Sequence, residues 1–211
     1  MKRSKPVPVS VPAPASAGLF LGSQPAMDFL NTAYGPAEKR VEVIGDGRAF
    51  LDWLVGAGLI TEQVAAKLPR RFGQEALDAA AAEARKVREW ARAWLTRWRD
   101  APRRDYGDEL AVLNELLARE ARHREVIAAG RDLRLADHAR LDSADSLLAL
   151  IAAAIAELVS SEHASLVRSC AGTDCTLWFL DRTKAHRRLF CSASACGNRA
   201  KVAAFRERQR E

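Results

Sequence analysis

The sequence predicts a mainly α protein: a multihelical N-terminal domain carrying one small β-hairpin, followed by a compact C-terminal module of β-hairpin and α-helix organised around four cysteines. Three observations lead there. Several stretches between residues 46 and 166 repeat their apolar side chains every three to four positions, the period of a helix with one buried face. One segment, His123 to Asp137 (HREVIAAGRDLRLAD), alternates instead around an Ala-Gly centre, as a hairpin does. All four cysteines, and the whole +6 charge excess, lie in the last 44 of the 211 residues.

In order along the chain, residues 1–18 alternate Pro with small side chains and offer little apolar surface to offset ordering entropy, so they read as a flexible Pro-rich leader. Gln24 to Thr32 reads as a short helix with Pro25 in its first turn and Met27, Phe29 and Leu30 for packing. Lys39 to Ile44 alternates enough for a short strand. Asp46 to Gly58 places Phe50, Leu51, Trp53 and Leu54 at helical spacing and ends in capping glycines, and Thr61 offers an N-cap to the next short helix. Glu75 to Arg99 is a long helix with Leu77, Val87, Trp90, Ala91, Trp94, Leu95 and Trp98 along one side. Asp108 to Glu120 and Ser143 to Leu166 read as two more, the last nearly apolar through its middle and therefore buried. These elements make residues 19–165 one helical domain and 166–211 a second unit.

Composition excludes several classes. With 48% hydrophobic and 28% charged residues the chain is expected to be soluble and globular. Its longest uncharged apolar run, Leu147 to Ala156, is far shorter than the roughly 18 to 20 residues of a bilayer span. Lys2, Arg3 and Lys5 imitate a secretory start, but Pro6, Pro8, Pro12 and Pro14 interrupt the apolar run that should follow, so a cytoplasmic location is expected. The body has neither a P-loop nor a dinucleotide-binding glycine fingerprint. Its histidines, His123, His138, His163 and His186, are scattered without catalytic spacing, and no enzyme is expected.

Residues 1–167 carry 23 basic against 23 acidic side chains, residues 168–211 carry 10 against 4. A neutral body with a basic, cysteine-bearing terminus suggests a scaffold and a part that meets an anion. Cys170 and Cys175 form one pair, Cys191 and Cys196 another (CAGTDC and CSASAC). Two such knuckles deliver four thiolates to one tetrahedral centre, the arrangement structural zinc prefers, although soft sulfur ligands also accept iron. Disulfides or plain buried thiols are the competing readings, and a reducing compartment disfavours the former. Four thiolates leave no open coordination position, so one Zn2+ here is structural. Thr176 to Leu180 and the run up to Phe190 suggest a β-hairpin between the knuckles, with a helix starting at the second pair, a treble-clef-like zinc finger.

Residues 168–211 closely resemble the CGNR zinc-finger family of bacterial proteins, through both cysteine pairs, Phe179, Asp181, the basic stretch Lys184 to Arg188 and the tetrapeptide Cys196-Gly197-Asn198-Arg199. The preceding helical domain, with Asp-Phe-Leu-Asn-Thr at 28–32, resembles the ABATE domain that usually accompanies that finger. The resemblance implies a stress-induced transcription regulator.

On a helical wheel Arg199, Arg206 and Arg210 fall within roughly 40° of one another, while Val202 and Phe205 form an apolar anchor on another side. This stripe, with Lys201 and with Arg182, Lys184, Arg187 and Arg188 from the preceding segment, is the candidate nucleic-acid surface, for DNA or for RNA. The competing reading is that these cations compensate the net −2 charge of a four-thiolate zinc, which would leave a zinc-stabilised protein-interaction module. Gly197 and Asn198 are expected to hold the turn, with Arg199 the better contact candidate. Trp90, Trp94 and Trp98 are assigned to packing, and Asp28 and Asn31 to a cap or a buried hydrogen bond rather than to an effector. A homodimer and a small-molecule effector, both through the helical domain, are left open.

Overall fold

The computed structural model describes residues 20–119 and 121–209, with backbone alone at 121–123 and 136–139. The leader at 1–18 and Arg210 lie outside the described residues.

Helix α1 (Pro25–Leu30) forms where the sequence places it, because Gln24 takes an extended backbone and its Oε1 accepts from the amides of Ala26 and Met27. The other end of the same amide donates to Ala154 O, so the cap also fastens α1 to the core. Strands β1 (Ala33–Tyr34) and β2 (Val41–Glu42) pair antiparallel across a 3-10 turn at Ala37–Lys39. The strand expected at 39–44 therefore shrinks to two residues. Helix α2 (Gly47–Gly56) is capped by Asp46, whose carboxylate accepts from Ala49 N at 2.8 Å. Gly47 is required where α2 meets the segment around Leu77, since a Cβ there would lie 2.5 Å from Leu77 Cβ.

Two short helices, α3 (Glu62–Ala65) and α4 (Leu68–Phe72), lead into α5 (Gln74–Asp100), whose 27 residues run about 40 Å. Its expected apolar side is the buried side: Leu77, Ala91, Trp94 and Leu95 are almost inaccessible, and Trp90 is half-buried at the rim. Trp94 packs on Trp90 and on Tyr106, with centroids 5.3 and 6.4 Å away. The tryptophan stripe is thus packing.

Helix α6 (Gly107–Leu117) precedes the hairpin, whose strands β3 (Ala121–Ala129) and β4 (Asp132–Arg140) are longer than the alternation suggested. Gly130 turns it with φ +67°. Helix α7 (Ser146–Ser161) is buried along most of its length but starts and ends inside the 143–166 expected for it. Its end has a local cause: Ser160 and Ser161 both turn their hydroxyls back onto Glu157 O, and the chain leaves in extended conformation at Glu162. A 3-10 turn (Ala164–Leu166) then opens β5 (Val167–Ser169), which pairs with β6 (Trp178–Leu180). A π-turn (Ala193–Gly197) runs into α8 (Asn198–Arg208). No described helix is long and apolar enough to cross a membrane.

Candidate metal centre

The cysteine module grows from the β5–β6 pair. Its ladder matches Val167 with Leu180 and Ser169 with Trp178, and continues through Cys170 N to Leu177 O at 2.8 Å. Cys170 thus leaves one strand and Cys175 enters the other, so the first knuckle is the turn of this hairpin. This corrects the expected partner of 176–180: it is Val167–Ser169, not the run up to Phe190. The return segment instead comes back through Ala171 N to Leu189 O at 2.8 Å and delivers Cys191 beside Cys170. Ser192 caps the following π-turn, which presents Cys196 two residues before the helix that follows at Asn198.

The four sulfurs lie within 4.8 Å of one another. Cys175 and Cys191 are 3.8 Å apart and Cys191 and Cys196 3.6 Å. A regular tetrahedron of Zn–S bonds of about 2.3 Å has edges of about 3.8 Å. The donor set and its spacing therefore fit one structural Zn2+, which on binding supplies four Zn–S bonds and no open position. The surroundings favour thiolates: Gly172 N and Cys191 N donate to Cys170 Sγ at 3.4 and 3.3 Å, and Arg199 Nη2 donates to Cys196 Sγ at 2.9 Å. The hydrogen bond from Cys191 holds the Cys175 thiol down to about 5, while the same bond pushes Cys191 up. Burial raises Cys196 and the Arg199 bond opposes it. Gly172 leaves the sulfurs their room, since a Cβ there would meet Cys196 Sγ at 3.1 Å. Gly197 is buried and donates its amide to Ser192 O, whereas Asn198 is exposed at the start of α8.

The hairpin has two faces. Val167, Trp178 and Leu180 belong to the main core, while Leu177 and Phe179 pack with the cysteines, as the period of a strand dictates. On its free side β6 is held by the body almost as by a third strand. Asn31, fully buried, donates from Nδ2 to Trp178 O at 2.8 Å and accepts from Trp178 N at 2.7 Å. Leu180 N donates to Gly22 O at 2.8 Å, and Gly22 N in turn donates to Asp28 Oδ1 at 2.6 Å. Burial raises the Asp28 carboxyl to about 6 against the lowering effect of that bond. Asp28 and Asn31 thus serve buried hydrogen bonds.

The candidate basic residues divide into two groups. Arg188 is turned inward: it lies 4.2 Å from the Phe179 ring centroid, donates to Phe190 O, Cys191 O and Leu21 O, and reaches Ser23 Oγ. Arg182 pairs with Glu162 at 2.5 Å, and Arg199 is engaged by Cys196. Lys184, Arg187, Lys201 and Arg206 are exposed, and no described residue pairs with them. Helix α8 has no buried side chain; Val202 and Phe205 are 48% and 57% exposed and belong to neither described core cluster, so the expected apolar anchor is left half-exposed. Sequence reasoning missed Arg208, exposed in the last turn of the same helix, and passed over Arg168, which donates to His186 O. It also gave no role to Asp181. That carboxylate is inaccessible, and although burial opposes its charge, bonds from Thr183 and Arg188 N hold it below the usual range.

Comparison with protein families places two models on the chain. The ABATE model, described as "Putative stress-induced transcription regulator", matches residues 23–162. The CGNR zinc-finger model matches residues 167–209. Neither is an enzyme family, and no curated protein matches the chain.

Proposed function

We propose that this chain, which belongs to the ABATE family and ends in a CGNR zinc finger, is a transcription regulator that binds duplex DNA through α8 and the 182–187 loop of its finger. Cys170, Cys175, Cys191 and Cys196 hold the one structural zinc, residues 19–165 form the regulatory body and 166–211 the finger. The observation that carries the reading is the state of α8, a basic helix leaving the cysteine cluster with no side chain buried and Lys201, Arg206 and Arg208 unengaged among the described residues. A surface helix with nothing to cover and several uncompensated cations suits phosphate contacts and a groove.

The test uses the zinc-loaded full chain and a salt titration of duplex binding. Lys184, Arg187, Lys201, Arg206 and Arg208, the unengaged cations of the finger among the described residues, should together contribute a slope of log K against log salt of about −4.5 if each meets a phosphate of B-DNA. Arg206→Ala should shallow it by about 1. Absence of binding at low salt overturns the reading. A protein partner is the second reading, favoured by the exposure of Val202 and Phe205 on the same helix. Under it, Val202→Ser with Phe205→Ser abolishes a complex, and Arg206→Ala leaves that complex intact.

A further inference from the structure

A cleft of about 220 Å³ lies where the body meets the finger, lined by Ala33, Gly35, Arg40, Glu89, Arg92 and Thr176 among others. Gly35 N donates to Thr176 Oγ1 at 2.9 Å, and Thr176 directly follows Cys175, so the floor of the cleft is tied to the finger. The charge arithmetic around it does not balance. Arg88, almost inaccessible, closes on Glu42 with two parallel hydrogen bonds of 2.7 and 2.6 Å and is satisfied there. Glu89 is then the carboxylate left for two further guanidiniums, Arg40 at 2.5 Å and Arg92 at 3.8 Å, and it also accepts from Arg88 Nε at 3.0 Å.

One positive charge is therefore surplus in a partly desolvated cleft. Donors are surplus too. Arg92 spends Nη2 on Leu30 O and Ala33 O and Arg40 spends Nη2 on Glu89, leaving Nη1 of each without a hydrogen bond among the described residues. Burial first, and then the neighbouring Arg88 and Arg40, work against the charge on Arg92, a cost that an added anion would relieve.

We propose that this cleft binds a small oxyanion, the carboxylate or phosphate group of a metabolite, between Arg40 and Arg92. Two guanidiniums lining one cleft match the planar or trigonal oxygens of such groups better than they match any neutral ligand. The volume sits below the usual range for drug-sized ligands, which limits the occupant to a few heavy atoms. Its consequence for regulation rests on the function proposed above; the binding itself does not, and it is measured without nucleic acid.

Titration calorimetry of the zinc-loaded full chain, at constant ionic strength set with chloride, uses inorganic phosphate in one arm and succinate in the other. Saturable binding of either at millimolar concentration is expected; phosphate alone identifies a phosphate monoester site, succinate alone a carboxylate site. Arg40→Gln, at a half-exposed side chain, should weaken it about tenfold by removing a charge-assisted hydrogen bond. Glu89→Gln should tighten it, because the competing carboxylate is gone, an effect that a purely structural ion-pair network does not predict. If Glu89→Gln does not fold, Arg40→Gln alone decides. No saturable binding of either probe, binding indifferent to Arg40→Gln, or weaker binding in folded Glu89→Gln overturns the proposal.

Discussion

Replacing Asn31 by Ala should destabilise the finger and the body together. The side chain makes two hydrogen bonds to one residue, Trp178, and both partners are buried between the main core and the cysteine cluster. Truncation leaves the buried Trp178 N–H and C=O without their partner. Each such buried group costs about 1–3 kcal/mol, so a loss of about 3 kcal/mol is expected once modest relaxation is allowed. For a chain of this size, 1 kcal/mol moves the midpoint by about 2–4 °C, which puts the shift at about 6–12 °C. The assay is thermal or urea unfolding of zinc-loaded protein, followed in parallel by tryptophan emission and by release of metal to a chromogenic chelator. Both probes should shift together, because Trp178 reports from the shared hairpin. Asn31→Asp should be no rescue, since a carboxylate keeps the acceptor for Trp178 N but opposes an oxygen to Trp178 O. A change below about 0.5 kcal/mol, the scatter of an ordinary surface substitution, would refute the reasoning, as would metal release that precedes unfolding of the body.

Two further outcomes follow from the same geometry. Arg199→Ala removes the donor to Cys196 Sγ and should speed metal transfer to a competing chelator about tenfold, with Arg199→Lys intermediate, while the salt slope of any DNA binding stays within error; an unchanged transfer rate would return Arg199 to the contact surface. Asp28 has its folded value raised to about 6 above the ordinary 3.8, so its contribution to stability is full below 3.8 and is lost as pH rises through about 6. Asp28→Asn, which keeps an acceptor for Gly22 N, should match the parent at low pH and exceed it above pH 6 by at most about 3 kcal/mol; parallel pH profiles of urea unfolding would rule this out.

What could be read from the sequence is what is encoded locally. Thr61 announces a helix start because its side chain bonds an amide three residues away, Pro25 marks the first turn of α1, and the period of α5 announces its buried side. The spacing of the cysteine pairs announces a four-sulfur centre for a similar reason, since tetrahedral ligation needs short knuckles. The pairing of β5 with β6 was not legible. Three-residue strands carry almost no periodic signal, and Val167 is hidden at the end of an apolar run that reads as helix. The fate of Arg188 was equally out of reach, because its partners Leu21 and Ser23 are more than 160 residues away in the chain.

The same distinction reshapes the meaning of the basic terminus. Total charge suggested one continuous cationic surface over 168–211, but the hairpin and the sulfurs claim the cations nearest to them. Arg168 turns to His186 O, Arg182 to Glu162, Arg188 to the carbonyls around Cys191, and Arg199 to Cys196. Of these, Arg199 is the one bonded to a sulfur, where charge in a low-dielectric setting is compensated at short range, while the other three are held by a carboxylate and by backbone carbonyls. Among the described residues, the unengaged cations of the finger are Lys184 and Arg187 in the loop and Lys201, Arg206 and Arg208 along α8. Compensation of the thiolates and contact with an anionic partner are therefore not rival explanations of one patch. On the proposed reading they use different residues, so a substitution that loosens the metal and one that weakens a phosphate contact should be separable within eight positions, at Arg199 and Arg206.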